Sequence, residues 1–265
     1  MDKQDLKNIK LWLFDMDGTL YLGDRLYDFT IELLQTIRAT GGKYLFMTNN
    51  SSKSVVDYVK KLEKLGITAT RDDVMTSSQA TAYYLKQHHR GQKLYVCGTE
   101  SLKEELRSEG FTVTTDLDEV QCVVMGFDTE LTFQKLWDVS WLLSTRDIPY
   151  IATNPDYVCP TEFGSVPDCG SVCDMIFNAT GKRPLVIGKP EPLMPQLAME
   201  RLGIGPGETC CIGDRIYTDI RSGLNAGITT MLVLSGEATL ETLRSSDSKP
   251  HLVLKDAGEI LEALR

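Results

Sequence analysis

Long hydrophobic runs, Cys-x-x-Cys pairs and histidines spaced for a zinc site are all missing from this 265-residue sequence. No apolar stretch approaches the ~18 residues that a membrane-spanning helix needs, and the polar amino terminus lacks the apolar segment of a secretory signal peptide. The seven cysteines include no Cys-x-x-Cys pair, and the three histidines are not spaced to complete a zinc site. These absences favour reduced thiols over a disulfide framework and predict a cytoplasmic protein.

Positive charge is also in short supply. The sequence has 28 Lys and Arg residues against 37 Asp and Glu residues, which gives a net charge of −9 and a pI near 4.9. This balance argues against a nucleic acid polymer or an anionic membrane as a partner, so a small anionic substrate would have to be held by local groups. The hydrophobic and charged fractions, 42% and 25%, are typical of a globular protein with one large or two ordinary domains.

Short apolar runs alternate with segments of helical periodicity along the chain. Strands are predicted at residues 11–14, 43–47, 74–76, 94–98, 122–128, 150–154, 185–188, 209–213, 229–234 and 251–254. Helices are predicted at residues 54–65, 79–88, 133–144 and 257–264. This alternation predicts an α/β fold with a Rossmann-like, doubly wound parallel sheet. Residues 155–173, which contain three prolines and two glycines, are predicted to form a long loop.

Two aspartates, Asp15 and Asp17, directly follow the first apolar run. Open α/β sheets bind ligands beyond the carboxyl ends of their strands, so both carboxylates should reach the binding crevice. Two carboxylates this close repel each other unless a cation or a shared proton relieves them, and oxygen ligands suit Mg²⁺. An aspartate can also act as a nucleophile that accepts a phosphoryl group. The alternative is a strand followed by an ordinary Asp-Gly turn.

Polar side chains also follow three later strands. These residues are Thr48 and Asn49, then Lys189, then Asp214 with Asp219 close behind. If the strands share one parallel sheet, these groups meet the first aspartate pair at the same edge. Phosphoryl transfer needs such a set, with a nucleophile, a lysine to neutralise charge and carboxylates for a metal. Taken singly, each motif has a plainer explanation as a helix cap, an exposed lysine or a turn, but their coincidence at four strand ends favours phosphoryl transfer.

As a set, these motifs resemble the haloacid dehalogenase (HAD) superfamily of aspartate-nucleophile phosphatases along the whole chain. The runs Thr48-Asn49-Asn50-Ser51, Gly188-Lys189-Pro190 and Gly213-Asp214-Arg215-x-x-Thr218-Asp219 look like the class IIA subgroup. That subgroup contains the NagD-type phosphatases, 4-nitrophenyl phosphatases, phosphoglycolate phosphatase and pyridoxal phosphatase. The resemblance implies a discontinuous HAD-like core at residues 1–80 and 184–265, with an inserted C2-type α/β cap domain at residues 81–183.

The resemblance also implies a role for each motif residue. Asp15 would attack phosphorus and carry an aspartyl-phosphate, while Asp17 would protonate the leaving alcohol and then activate water. Mg²⁺ would be held by Asp15, the main-chain carbonyl of Asp17, and Asp214. The phosphoryl group would be bound by Thr48, Asn49 and Lys189. Asp219 would orient these groups without contacting the substrate itself.

The implied activity is a Mg²⁺-dependent phosphatase for small phosphate monoesters, such as a sugar phosphate, phosphoglycolate, a nucleotide or 4-nitrophenyl phosphate. Caps of this subgroup can mediate dimerisation, so a homodimer is one expectation. The loop expected at residues 154–174 is the best candidate to contact the leaving group, and its polar residues are Asp156, Thr161, Glu162, Asp168 and Ser171. Two alternatives stay open: a dehalogenase or phosphonatase on the same fold, and a catalytically silent ligand-binding protein.

Overall fold

The computed structural model describes residues 3–161 and 163–265, and the chain divides into two units. The first unit comprises the residues up to Thr48, Val56–Met75 and Lys189–Arg265. The second comprises Asn49–Val55 and Thr76–Gly188. Each unit has its own parallel sheet. The predicted insert at residues 81–183 lies within the second unit, which also includes short stretches on either side of it and residues 49–55.

The elements follow one another in the α/β alternation that the sequence predicts. In chain order the strands are β1 Leu11–Phe14, β2 Tyr21–Leu22, β3 Arg25–Leu26, β4 Lys43–Thr48, β5 Val74–Thr76, β6 Lys93–Cys97, β7 Thr112–Val113, β8 Cys122–Met125, β9 Tyr150–Ala152, β10 Val158–Thr161, β11 Gly164–Pro167, β12 Leu185–Val186, β13 Thr209–Gly213, β14 Thr229–Val233 and β15 Leu252–Leu254. The helices are α1 Thr30–Ala39, α2 Val55–Lys64, α3 Ser77–His88, α4 Glu100–Ser108, α5 Phe133–Thr145, α6 Cys169–Thr180, α7 Leu193–Leu202, α8 Arg221–Asn225, α9 Leu240–Ser245 and α10 Gly258–Leu264. Within residues 3–161 and 163–265, none of these helices is long and apolar enough to cross a membrane.

The sheet of the first unit has the strand order β15-β14-β13-β1-β4-β5. Its central strand β1 pairs in parallel with β13 on one side and with β4 on the other. Every residue of β1 and β13 is buried, because helices cover the sheet on both faces. Phe14 lies opposite both Ile212 and Phe46, so the three strands end at nearly the same level. The predicted doubly wound parallel sheet is therefore confirmed, and the register brings the carboxyl ends of its central strands together.

The second unit is a smaller α/β structure built on a sheet of order β12-β9-β8-β6-β7, in which the neighbouring strands run parallel. Its central strand β8 is wholly buried, as its unbroken apolar sequence predicts. The hydrophobic core combines residues of β6, β8 and β9 with the inward faces of α5 and α6. This unit thus has a core of its own.

The prediction of a long loop at residues 155–173 is wrong from residue 158 onwards. Strands β10 and β11 form an antiparallel hairpin there, and α6 already begins at Cys169. Gly164 has φ of +140°, a conformation that favours glycine and that allows the chain to reverse. Pro160 and Pro167 lie in this isolated two-stranded ladder, where proline is tolerated because each strand has a free edge. Three of the residues that interrupt the periodicity, Pro160, Gly164 and Pro167, therefore belong to a hairpin.

Candidate active site

Asp15, Lys189, Asp214 and Asp219 lie close together in the first unit. Asp15 follows β1, and its backbone N–H extends the ladder by donating to the carbonyl of Ile212. The Nζ of Lys189 donates to Asp15 Oδ1 at 2.7 Å and to Asp219 Oδ1 at 2.6 Å. One oxygen from each of the three carboxylates lies within 4.8 Å of the others. These four side chains therefore converge, as the sequence predicts. The premise that all the preceding strands share one sheet is wrong for Lys189, because β12 belongs to the sheet of the second unit.

Lys189 is buried between carboxylates, which rules out the plainer interpretation of a solvated surface lysine. Only 3% of the residue is exposed, and its Nζ also lies 3.4 Å from the carbonyl oxygen of Met47 at the end of β4. Burial by itself disfavours the charged ammonium, but the carboxylates of Asp15 and Asp219 outweigh that penalty and raise the lysine pKa above its usual range. Lys189 is therefore a fixed positive charge.

The three carboxylates carry more negative charge than this one lysine can neutralise. Burial raises the pKa of Asp15 to about 7, against the opposing effect of Lys189 and with added repulsion from Asp219 and Asp214. Burial likewise raises the pKa of Asp214 to about 6, again with repulsion from Asp219. Such an excess of oxygen-based negative charge is what a bound divalent cation would relieve.

Asp214 fits the role of a metal ligand in particular. Its Oδ2 accepts a hydrogen bond from the backbone N–H of Glu237 at 2.7 Å, whereas its buried Oδ1 has no hydrogen-bond partner among residues 3–161 and 163–265. Two glycines leave room for this carboxylate, because a Cβ added at Gly18 or Gly236 would lie 2.3 or 2.0 Å from Asp214 Oδ2. A buried carboxylate oxygen without a donor costs free energy unless a cation binds it, so these residues fit a divalent metal.

Asp219 differs from the other two carboxylates because both of its oxygens have donors. Oδ1 accepts from Lys189, and Oδ2 accepts from the backbone N–H of Arg215 at 3.1 Å. The guanidinium of Arg215 in turn pairs with Glu237, with 2.9 Å between Nε and Oε2. Asp219 therefore holds Lys189 and the loop after β13 in place. Sequence reasoning missed the pair of Arg215 and Glu237, although the position of Arg215 next to Asp214 was a signal.

Asp17 lies outside this buried cluster, on the turn that follows β1. Its side chain is exposed, and Oδ1 accepts a hydrogen bond from the backbone N–H of Gly23 at 3.3 Å. The next residue, Gly18, has φ of +80°, a conformation that other residues rarely adopt. The chain therefore turns sharply after Asp17 and leaves its carboxylate in contact with solvent.

The two neighbouring residues Thr48 and Asn49 fall in different units. Thr48 is the last residue of β4, beside β1, and belongs to the first unit. Asn49 is buried and belongs to the second, where its Nδ2 donates to Asp156 Oδ2 at 3.0 Å. The sequence predicts Asp156 only as one of the polar residues that could contact the leaving group. The contact with Asn49 could not be foreseen, because 107 residues separate the two in the chain.

The other polar residues of the predicted substrate loop bond within the second unit. The Thr161 hydroxyl donates to the carbonyl of Gly164, and the Ser171 hydroxyl donates to the carbonyl of Tyr157. Asp168 is buried and caps the amino terminus of α6. Glu162 lies outside the described residues. These three bonds favour a structural role for Thr161, Asp168 and Ser171.

Comparisons with known proteins agree with this geometry. A family described as haloacid dehalogenase-like hydrolase matches residues 12–112, and a second HAD-like hydrolase family matches residues 186–260. The chain belongs to the haloacid dehalogenase-like hydrolases. The resemblance to its NagD-type, 4-nitrophenyl phosphatase-like subgroup is confirmed by the relatives described next.

The relatives are named phosphatases. An acid sugar phosphatase of Staphylococcus aureus is 34% identical over 259 residues, which cover 98% of this chain and 99% of that protein. The crystal structure of a 4-nitrophenylphosphatase from Thermotoga maritima is 38% identical with a TM-score of 0.94 and covers 98% of this chain and 99% of its own. A glycerol phosphate phosphatase from Mycobacterium tuberculosis, in complex with calcium, is 28% identical with a TM-score of 0.87 over 97% of this chain and 76% of its own. The members of this HAD-like family are thus close in fold over nearly the whole chain.

Replacing Lys189 by methionine should destabilise the metal-free protein by about 3 kcal/mol, because it leaves buried carboxylates without their cation. Urea unfolding in the presence of a chelator measures this loss. The control is Lys10→Met, which removes an exposed ion pair with Glu208 whose lysine side chain is 61% exposed; it should cost less than about 1 kcal/mol. Equal stability of the Lys189→Met variant and the wild type would contradict the burial of this charge.

Asp168 should make the stability depend on pH. Burial raises its pKa from 3.8 to about 6, so the folded protein binds this proton more tightly than the unfolded chain does. Its stabilising contribution is therefore full below about pH 4 and is lost as the pH rises through about 6. In urea unfolding, the stability of the wild type relative to Asp168→Asn should fall by up to about 3 kcal/mol across that window, since one pKa unit corresponds to about 1.4 kcal/mol.

The control for this pH effect is Asp174→Asn. The hydrogen bond from Arg183 lowers the pKa of the partly exposed Asp174, so this variant should not reproduce the fall. A stability difference between wild type and Asp168→Asn that stays constant from pH 4 to pH 7 would show that Asp168 does not titrate as the buried group described here.

Proposed function

We propose that this protein is a Mg²⁺-dependent phosphatase that hydrolyses small phosphate monoesters through an aspartyl-phosphate on Asp15. The observation that carries this proposal is the position of the Asp15 carboxylate. It lies at the end of a central strand, hydrogen-bonded to the buried ammonium of Lys189 and beside the unpartnered Oδ1 of Asp214. A carboxylate held in this way is oriented for attack and keeps its negative charge when a second cation is near.

In the first half of the reaction, a carboxylate oxygen of Asp15 attacks phosphorus and the bond from phosphorus to the ester oxygen breaks. Asp17 gives its proton to the departing alcohol. In the second half, Asp17 takes a proton from water, whose oxygen attacks phosphorus; the bond from Asp15 to phosphorus breaks and inorganic phosphate leaves. The exposed position of Asp17 supports the second half of this role, because its carboxylate is in contact with solvent water.

Three side chains are proposed to bind the oxygens of the phosphoryl group. Lys189 supplies the positive charge, and the hydroxyl of Thr48 and the amide of Asn49 supply hydrogen-bond donors. Because Lys189 already contacts Asp15, the phosphoryl group would meet the nucleophile and the counter-charge at one place.

The carboxylates of Asp15 and Asp214, with the main-chain carbonyl of Asp17, are proposed to hold Mg²⁺. When bound, the cation supplies positive charge to the phosphoryl oxygens, which carry more negative charge as the ester bond breaks. Asp219 stays outside this set because its oxygens bond to Lys189 and Arg215, so it orients the other groups.

The proposed substrates are small phosphorylated metabolites. The names of the relatives point to sugar phosphates, glycerol phosphate and 4-nitrophenyl phosphate. We propose that the second unit is the cap of the enzyme and that residues near the start of the β10–β11 hairpin select the leaving group. The predicted cytoplasmic location and a homodimer through the cap stay predictions.

Release of 4-nitrophenol from 4-nitrophenyl phosphate tests the proposal directly. Wild-type protein with Mg²⁺ should turn over, and a chelator should stop it. Asp15→Asn keeps the shape of the side chain but removes the nucleophilic charge, so kcat/KM should fall by about 10³-fold or more. The control Asp72→Asn alters a carboxylate whose side chain is 96% exposed and should leave activity unchanged.

Three outcomes would contradict the proposed function. Turnover that persists in Asp15→Asn would exclude this nucleophile, and wild-type protein that stays inactive with Mg²⁺ across a panel of monoesters would favour a ligand-binding role. Turnover of a haloacid without any metal would favour the dehalogenase alternative.

A further inference from the structure

Asn49 and Ser51 are fixed within the second unit by hydrogen bonds to three different segments. The carbonyl of Asn49 accepts from Ser77 Oγ at 2.6 Å and from Asn154 Nδ2 at 2.8 Å. The buried hydroxyl of Ser51 bonds to the backbone N–H of Phe127 and to Thr153 Oγ1, each at 2.8 Å. The segment that follows Thr48 is therefore a fixed part of the second unit, although the sequence alone suggests a helix cap.

The side chain of Asn49 is held as firmly as its backbone. Its Nδ2 donates to Asp156 Oδ2 at 3.0 Å. On the other side, its Oδ1 faces the backbone of Gly188, where an added Cβ would lie only 2.7 Å away. An ionised carboxylate accepts hydrogen bonds but cannot donate them. Asp156 therefore requires the NH₂ group of the Asn49 amide, and not its oxygen, to point towards it.

The backbone of Asp156 is itself fixed by hydrogen bonds, so its carboxylate can hold a neighbouring side chain in one orientation. Its backbone N–H donates to Asn154 Oδ1 at 3.1 Å, and its carbonyl accepts from the backbone N–H of Gly170 at 2.8 Å. The start of α6 packs against it so closely that a Cβ on Gly170 would lie 2.2 Å from the carbonyl oxygen of Pro155. The carboxylate of Asp156 therefore projects from backbone that is bonded on both sides.

We propose that Asp156 is a positioning residue, whose carboxylate orients the amide of Asn49 so that Asn49 can bind the phosphoryl group of the substrate. This inference rests on the proposed function, in which Asn49 binds phosphoryl oxygens. It assigns Asp156 an effect on the part of the substrate that all phosphate monoesters share. A residue that contacts the leaving group would have an effect that differs from one substrate to the next.

A double-mutant cycle tests this assignment, with Asn49→Ala, Asp156→Ala and the double variant. The readouts are the inhibition constant of inorganic phosphate and the separate values of kcat and KM for two monoesters with different leaving groups. Each single substitution should weaken phosphate binding by about tenfold, as expected for one lost hydrogen bond to a charged group. The double variant should be no weaker than Asn49→Ala alone, because both substitutions remove the same interaction.

Two further variants separate positioning from a merely structural role. Asp156→Asn keeps an acceptor oxygen for Asn49 Nδ2, so it should recover most of the phosphate affinity that Asp156→Ala loses. The matched control is Asp138→Ala, because Asp138 also accepts a side-chain amide bond in the second unit, from Gln134 Nε2 at 2.7 Å. It should leave phosphate inhibition unchanged.

Three results would overturn the inference. They are losses that add up in the double variant, an Asp156→Ala variant with wild-type phosphate affinity, and a loss that depends on the leaving group and is not recovered by Asp156→Asn. Failure of the proposed function is a different result, because wild-type protein would then show no turnover that depends on Asp15. Thermal unfolding of each variant identifies any that has lost its fold. If Asp156→Ala is such a variant, the phosphate affinity of Asp156→Asn decides the inference. An affinity close to that of wild type supports it, and an affinity as weak as that of Asn49→Ala contradicts it.

Discussion

The buried ammonium of Lys189 lies between the carboxylates of Asp15 and Asp219, and the rest of the site depends on this contact. Without it, three carboxylates would face one another in a largely buried place. The lysine does not neutralise them fully, and in the described part of the chain no donor bonds to Asp214 Oδ1. The Lys189 ammonium thus lowers the repulsion among the three carboxylates, and the remaining negative charge favours binding of a second cation.

The parallel sheet positions the carboxylates for this contact. Asp15 and Asp214 follow β1 and β13, whose parallel pairing places their carboxyl ends side by side. Lys189 is 174 residues from Asp15 in the chain and follows β12, a strand of the other sheet, so its position does not come from this pairing. The backbone is shaped to match, since glycines at positions 18 and 236 leave space for the carboxylate of Asp214. The register of the sheet therefore determines where the carboxylates of the site lie, as is usual for open α/β folds.

Much of this could be read from the sequence because each part has a local signal. Buried strands appear as short apolar runs, and Asp15, Lys189 and Asp214 each follow such a run. The hairpin of β10 and β11 escaped detection, because prolines and a glycine interrupt its alternation. The contact between Asn49 and Asp156 has no local signal at all, since it depends on how distant segments pack. Sequence patterns thus predict elements and strand-end motifs, whereas partners across a long separation come only from the folded chain.

The most direct test of the account is to identify the atom that receives the phosphoryl group. The protein would be mixed with a radiolabelled phosphate monoester and Mg²⁺, quenched in acid within the first turnover, and digested for peptide mapping. The account predicts a label on the peptide that contains Asp15, and its release by hydroxylamine, as expected of an acyl phosphate. A label on another residue, or complete turnover with no trapped label at any quench time, would contradict it.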